Sequence, residues 1–411
     1  MLELWRNCRY TSVIFFLVLL LVGLGFTMVY SSSAVWDATR SNQLIQKQYQ
    51  AEDAVFTSFH SKSTSIKQLL WIALGVMVLC LFYSINYEWI ASHYWLIYGL
   101  AIVFLILVLI PGIGVKVYGA RRWLALGPLS FQPSEFAKLA LIIFLSKYIF
   151  DRANQVNDPF KVFLPCLFFS TIIMALIVAE RDFGAMAVVC ALTMAMLFFG
   201  GVRLRYLAAP LPFLLVVLAI LIILWPYRVE RVFAVLDPLS NWHLKQSLIS
   251  VGSGGIEGKG LGMGLQKYRF LAEAHTDFIF AMIGEELGLW GTILTLLIVC
   301  ALVTWCLWVA YRTTDFQGAL LASGISCMLG IPALLHIAVT IGLVPPKGLA
   351  LPFVSYGGTS MLINMAAIGI LMNVARNVDE TTSKRAVVAR RRKLLRRESG
   401  RRDREKRAAW A

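Results

Sequence analysis

Long apolar stretches alternate with short polar ones along almost the whole chain. The apolar runs fall near 12–32, 68–86, 91–112, 134–151, 160–179, 183–200, 206–226, 278–311, 318–343 and 356–375. A helix needs roughly 20 apolar residues to cross the hydrocarbon of a bilayer, so each run predicts a span. The expected fold class is all-α, a polytopic membrane protein of about ten transmembrane helices with its largest outer loop between helices 7 and 8. The eighth run exceeds one span and reads as a broken or tilted helix. The first, Ser12 to Tyr30, has span length and no A-x-A site, so it reads as a retained helix and not a cleaved signal. The polar stretch Ser31 to Lys67, with Gln43, Gln46, Gln48 and Gln50, reads as a flexible outer loop without chemistry. No internal repeat is evident.

Composition supports this pattern: 15% of the 411 residues are charged, against about 25% in a soluble domain. Nearly all seven cysteines lie inside apolar runs and none in a long polar loop, which argues against a disulfide framework, and no spacing among them resembles a zinc site.

Charge gives the orientation. The net charge of +15 is concentrated in the tail, where fourteen Lys and Arg face five acids from Arg376 onward. The chain therefore divides into a membrane domain over 1–376 and a basic tail over 377–411, expected to be cytoplasmic and to meet anionic lipid or dock a partner. Nucleic acid is not expected as a partner. Ten spans put both termini on that side. Arg6 and Arg9, Lys147, Arg152 and Lys161, Arg203 and Arg205, and Arg312 then fall in short inner loops. The outer loops also carry cations: Lys116, Arg121 and Arg122 in one, Arg228, Arg231, Lys245, Lys259, Lys267 and Arg269 in another. Long loops translocate whatever their charge, but a locally held anion such as a phosphate would explain so many.

Several polar motifs could carry chemistry. Gly252 to Gly264 holds seven glycines in thirteen positions. Successive N–H groups of such a run can line a concavity for an anion, with Lys259 adding a point charge, although a flexible loop explains the composition nearly as well. In His275-Thr-Asp-Phe-Ile-Phe-Ala, Asp277 sits where loop becomes apolar helix, with Glu285 and Glu286 about two turns further in. Carboxylates at the margin of a span are costly and suggest function; a helix cap at Thr276 or Asp277 is the structural alternative. In Gln132-Pro-Ser-Glu-Phe-Ala-Lys138, Pro133 and Ser134 suit a helix start, and Glu135 and Lys138 are spaced to pair or to meet substrate. Glu180-Arg-Asp-Phe-Gly184 places three charges between two spans. The last outer loop, Gly342 to Ser360, is broken by Pro and Gly and should line a cavity, with Lys347 available to an anion. His336, alone in a span, reads as packed or hydrogen-bonded.

Gly119-Ala-Arg-Arg-Trp, Gln132-Pro-Ser-Glu with Lys138, the Gly-rich loop, His275-Thr-Asp-Phe-Ile-Phe-Ala with Gly284-Glu-Glu-Leu-Gly, and Leu351-Pro-Phe-Val-Ser-Tyr-Gly-Gly-Thr-Ser resemble, in order, the motifs of the SEDS family (shape, elongation, division and sporulation). The resemblance spans about residues 10 to 376. Pro346-Lys-Gly is closer to the division branch than to the elongation branch. Arg181-Asp-Phe-Gly departs from the family's Pro-Asp-Leu-Gly, and the first outer loop is unusually long. The resemblance implies an inverting peptidoglycan glycosyltransferase of the bacterial inner membrane. Such an enzyme consumes lipid II, makes β-1,4-linked glycan at the septum, releases undecaprenyl diphosphate, and works with a class B penicillin-binding protein and other division proteins. Asp277 is then the base. Arg122, Glu135, Lys138, Asp182, Arg231, Lys259, His275, Lys347 and Ser355 are substrate-binding candidates, and a divalent cation, Mg2+ or Mn2+, could share the charge on the diphosphate. A lipid II flippase and a non-catalytic scaffold are the alternatives.

Overall fold

The computed structural model describes residues 9–47, 64–117, 120–126, 129–209, 241–266 and 275–379. Nine of the ten expected spans fall within them. The seventh, near 206–226, lies almost wholly outside, as do Arg231 and the tail beyond residue 379. The helices are α1 (Arg9–Lys47), α2 (Thr64–Ser84), α3 (Tyr87–Ser92), α4 (Tyr94–Leu109), α5 (Pro133–Asp151), α6 (Leu164–Ala179), α7 (Phe183–Phe199), α8 (Leu204–Ala208), α9 (Trp242–Ser253), α10 (Ile279–Arg312), α11 (Phe316–Thr340) and α12 (Gly358–Asp379). Among the described residues six helices are long and apolar enough to cross a membrane, and α4 and α7 are shorter apolar helices.

Burial sorts these helices into centre and periphery. Nearly every residue of α5 from Pro133 to Ile149 is buried, and it packs on α4, α7 and α11. Its polar residues Glu135 and Lys138 are thus carried into the middle of the bundle. At the rim, α2 presents Leu69, Leu70, Met77 and Leu81, and α4 presents Leu96, Leu100, Val103, Ile106 and Ile110. A bilayer accepts such faces as readily as a protein core does.

Three features depart from the expectations, and one bears them out. First, α1 runs on to Lys47 where a loop from Ser31 was expected. Residues 26–47 contain neither Gly nor Pro, so nothing local stops the helix when its apolar run ends. Second, the loop after α4 is an antiparallel sheet of β1 (Gly114–Val117), β2 (Ala120–Leu126) and β3 (Leu129–Phe131), a small exception to an all-α fold. In its register Lys116 lies opposite Arg121. Third, the large outer loop contains α9, started by Asn241, whose side chain accepts from the Leu244 amide at 3.2 Å. The helix is fastened to the bundle by Ser247 and Ser250, which donate to the carbonyls of Thr340 (2.8 Å) and Ala281 (3.0 Å). As the length of the eighth run predicts, the long α10 is broken, at Gly288, where φ is 65° and ψ −160°. That left-handed backbone suits glycine, and a Cβ there would also strike residues 256–258 of the Gly-rich loop.

Candidate active site

The loop between α11 and α12, expected to lie on the outer side, organises one end of the bundle. As its Pro and Gly content predicts, it is non-helical backbone, and it is buried from Leu351 to Ser355. His336 on α11 is buried and bonds through Nδ1 to the Leu349 carbonyl at 2.6 Å. Further along, the Ser355 hydroxyl accepts from the Leu351 amide (2.8 Å) and donates to the Thr276 carbonyl (2.7 Å), while the Tyr356 amide donates to the His275 carbonyl at 2.9 Å. Ser355 is buried and both bonds are internal. It staples the loop to the segment preceding α10, a different task from the substrate contact expected of it.

That staple fixes Asp277. A Cβ added at Gly348 would lie 2.9 Å from Asp277 Oδ2 and 3.4 Å from Oδ1, so the carboxylate rests against the bare backbone beside Lys347. The N-cap position of α10 is Phe278, one residue beyond Asp277, and Phe278 makes no side-chain capping bond. Gly348→Ala is therefore expected to push the carboxylate aside and to slow turnover about a hundredfold, because displacement of a reacting group by about 1 Å costs that much. Wild-type rates in a turnover assay of that variant would show that the contact is immaterial.

Two more expected residues border the same loop. Lys138 Nζ pairs with Glu135 Oε1 at 2.8 Å, both largely buried, at the start of α5 where Pro133 holds the first helical position. The pair lines a narrow cavity with Leu349, Ala350, Pro352 and Asn364. Asp182 caps α7 by accepting from the Ala185 amide at 3.0 Å and stands 4.0 Å from Arg122 Nε. Gly184, two residues on, faces the Leu349 side chain. The last outer loop thus has Asp277 on one side, the Glu135–Lys138 pair on another and the Asp182–Arg122 corner near a third. Gly348 and Leu349 link these sites. No sequence pattern marks them, because their importance lies in what the fold brings against them.

The Gly-rich loop has a different occupant from the one expected. Its N–H groups and Lys259 are aimed at the protein's own carboxylates. Glu285 is fully buried and receives Lys259 Nζ at 2.8 Å and the amides of Leu265 (2.8 Å) and Gln266 (3.2 Å). Glu286 receives the Gly262 amide at 3.0 Å and the Ser31 hydroxyl of α1 at 2.7 Å. Lys259 also donates to Ser253 at 2.9 Å. The concavity reads correctly as anion-binding, and the anion is a pair of glutamates from the first turns of α10. Two acids inside an apolar run are otherwise prohibitively desolvated, and only this ring of donors makes them tolerable.

Glu180 is the other buried acid. Only 1% of it is exposed, and neither carboxylate oxygen has a hydrogen-bond partner among the described residues. Burial, reinforced by the neighbouring Asp182 carboxylate and opposed by the Arg122 guanidinium, pushes its carboxyl up to about 9. The folded protein therefore keeps a proton that the unfolded chain releases above 4.5, and stability falls as pH rises from 4.5 to about 9. Glu180→Gln is expected to flatten that slope and to be the more stable protein on the alkaline side. Parallel thermal-unfolding curves across that range would contradict this.

Residues 11–380 match the family described as cell cycle protein, FtsW/RodA/SpoVE. The chain is 38% identical over 365 residues to a probable peptidoglycan glycosyltransferase FtsW of Nitrosomonas europaea, covering 87% of this chain and 90% of that one. It is 35% identical over 367 residues to stage V sporulation protein E of Bacillus subtilis, covering 88% and 95%. Its fold is similar to that of the rod shape determining protein RodA of Thermus thermophilus, with TM-score 0.63 and 27% identity over 89% of this chain and 96% of that one. A chain of a peptidoglycan synthase complex, solved to explain how polymerization and crosslinking are coordinated, gives TM-score 0.70 and 28% identity, covering 89% and 97%.

Proposed function

The chain belongs to the FtsW/RodA/SpoVE family of cell cycle proteins, and from that premise we infer how the loop around Asp277 does its chemistry. The protein is a multi-pass membrane peptidoglycan glycosyltransferase that polymerises lipid II into β-1,4-linked glycan and releases undecaprenyl diphosphate. The observation that carries the site assignment is the Asp277 carboxylate, held against Gly348 beside Lys347 at the outer end of α10.

The acceptor's 4-hydroxyl is a poor nucleophile, and Asp277 takes its proton as it attacks C1 of the donor. A base positioned in this way contributes ~10²–10⁴-fold. The C1–oxygen bond to the diphosphate breaks on the opposite face, which inverts an α-linked donor into a β-linked product. Negative charge then builds on the diphosphate, and cations fixed beforehand stabilise it without reorganising. Lys347, Lys138 and Arg122 border the loop and suit this role; Arg231, outside the described residues, is a further candidate. Lys259 is engaged by Glu285, so its contribution is to hold the outer loop. The polyprenyl chain lies between spans, which is why the polymerase is itself a membrane protein.

A divalent cation, Mg2+ or Mn2+, fits this site only in a limited way. No three His, Cys, Asp or Glu side chains converge among the described residues. Mg2+ commonly keeps several waters and takes the substrate's phosphate oxygens, so most of its ligands would come from water and the diphosphate, with Asp277 remaining the base. Such an ion would neutralise charge on the leaving group.

The cellular setting completes the proposal: the inner membrane, at the septum, both termini cytoplasmic, with a class B penicillin-binding protein cross-linking the new strands. Purified protein given labelled lipid II tests the reaction. Polymer is the expected product. Movement of lipid II between leaflets without polymer would make the protein a transporter, and neither outcome would leave a scaffold.

A further inference from the structure

At the outer ends of α4 and α6 lies an open pocket of about 240 Å³ that takes no part in the reaction described above. Leu109 and Ala179, the last residues of the two helices, form its floor, and Lys116, Arg121, Arg181 and Glu180 line it. Two features of its wall are costly as they stand. Lys116 and Arg121 are cross-strand partners in the β1–β2 ladder, and like charges set directly opposite each other destabilise a sheet. Glu180 is buried with both oxygens unpartnered among the described residues. An anion between the two cations relieves the first cost, and an acceptor oxygen facing a protonated Glu180 relieves the second. Arg181 reaches this corner with φ at 63°, a conformation closed to the proline of the family pattern.

The position selects the kind of anion. The pocket opens where two apolar helices end, and Val103 and Ile106 form an exposed stripe on α4 that continues past its end to Ile110 and Ile113. We propose that this pocket binds the phosphate of an anionic phospholipid of the outer leaflet, with Lys116 and Arg121 on the phosphate, Glu180 donating to it and an acyl chain along the α4 stripe. The lipid joins the β-sheet to the α6–α7 corner, and so to Arg122 and Asp182.

The full chain in nanodiscs of phosphatidylcholine and phosphatidylglycerol, released and weighed by native mass spectrometry, tests this without any turnover. The wild type is expected to retain phosphatidylglycerol selectively. Lys116→Gln with Arg121→Gln should weaken retention about fivefold per cation, the equivalent of ~1 kcal/mol each. Removing opposed like charges should not unfold the sheet, and thermal melting checks that. Glu180→Leu should also lose retention, whereas Glu180→Gln keeps a donor and should hold the lipid. Equal retention by the double variant, or of phosphatidylcholine by the wild type, overturns the proposal. So does displacement of phosphatidylglycerol by undecaprenyl diphosphate, which would assign the pocket to the reaction's own lipid.

Discussion

Asp277→Asn is expected to lower glycan polymerisation by ~10²–10⁴-fold, the contribution of a positioned general base, while the protein stays folded. Asparagine has the same shape and can occupy the same place against Gly348, but it cannot accept the acceptor's proton at neutral pH. Asp277 is not the N-cap residue of α10, so its replacement leaves that position unchanged. The staple made by Ser355 and Tyr356 uses backbone carbonyls of Thr276 and His275, so it too survives. The measurement is polymer length and rate from labelled lipid II, set beside thermal melting of both proteins. An unfolded variant would say nothing about chemistry, and melting detects that case. A folded variant that builds full-length glycan at the wild-type rate removes Asp277 from the mechanism.

Glu285→Ala should release the Gly-rich loop. The side chain is fully buried and gathers Lys259 and two backbone amides from the loop. Deleting it leaves a cation and two amides without their acceptor. Breaking a buried pair from one side costs about 3 kcal/mol, the lower end of the usual range because Lys259 retains some contact with water. Local opening of the loop would then be favoured by roughly a hundredfold, read as faster hydrogen exchange at Lys259, Leu265 and Gln266. Glu285→Gln combined with Lys259→Met should cost less than Glu285→Ala alone, since no charge is left stranded. Unchanged exchange in Glu285→Ala would mean that the glutamate does not anchor the loop. Activity should fall as well, because Glu285 lies on the helix whose start carries Asp277.

Much of the helical framework is legible along the chain. Pro133, Ser134 and Glu135 announce the start of α5, and the three-residue spacing of Glu135 and Lys138 foretells their contact, because both are helix-local facts. The seven glycines of 252–264 announce an anion-binding backbone, yet the identity of the anion depends on α10 folding back against the loop. Ser31 illustrates the same limit. In sequence it opens a polar stretch; in the fold it is the last apolar turn's hydroxyl, bonded to a glutamate 255 positions away.

Spans and the list of polar residues that need an explanation were therefore legible in the sequence alone, since hydrophobic length and turn chemistry act over a few neighbouring residues. Tertiary structure decided the partners: Gly348 for Asp277, the loop amides for Glu285, and Arg121 opposite Lys116 in a sheet that the pattern did not reveal. The first two pairings join segments 71 and about 20 residues apart. They are selected by the competition among all buried polar groups for a limited supply of donors and acceptors, which no local window contains.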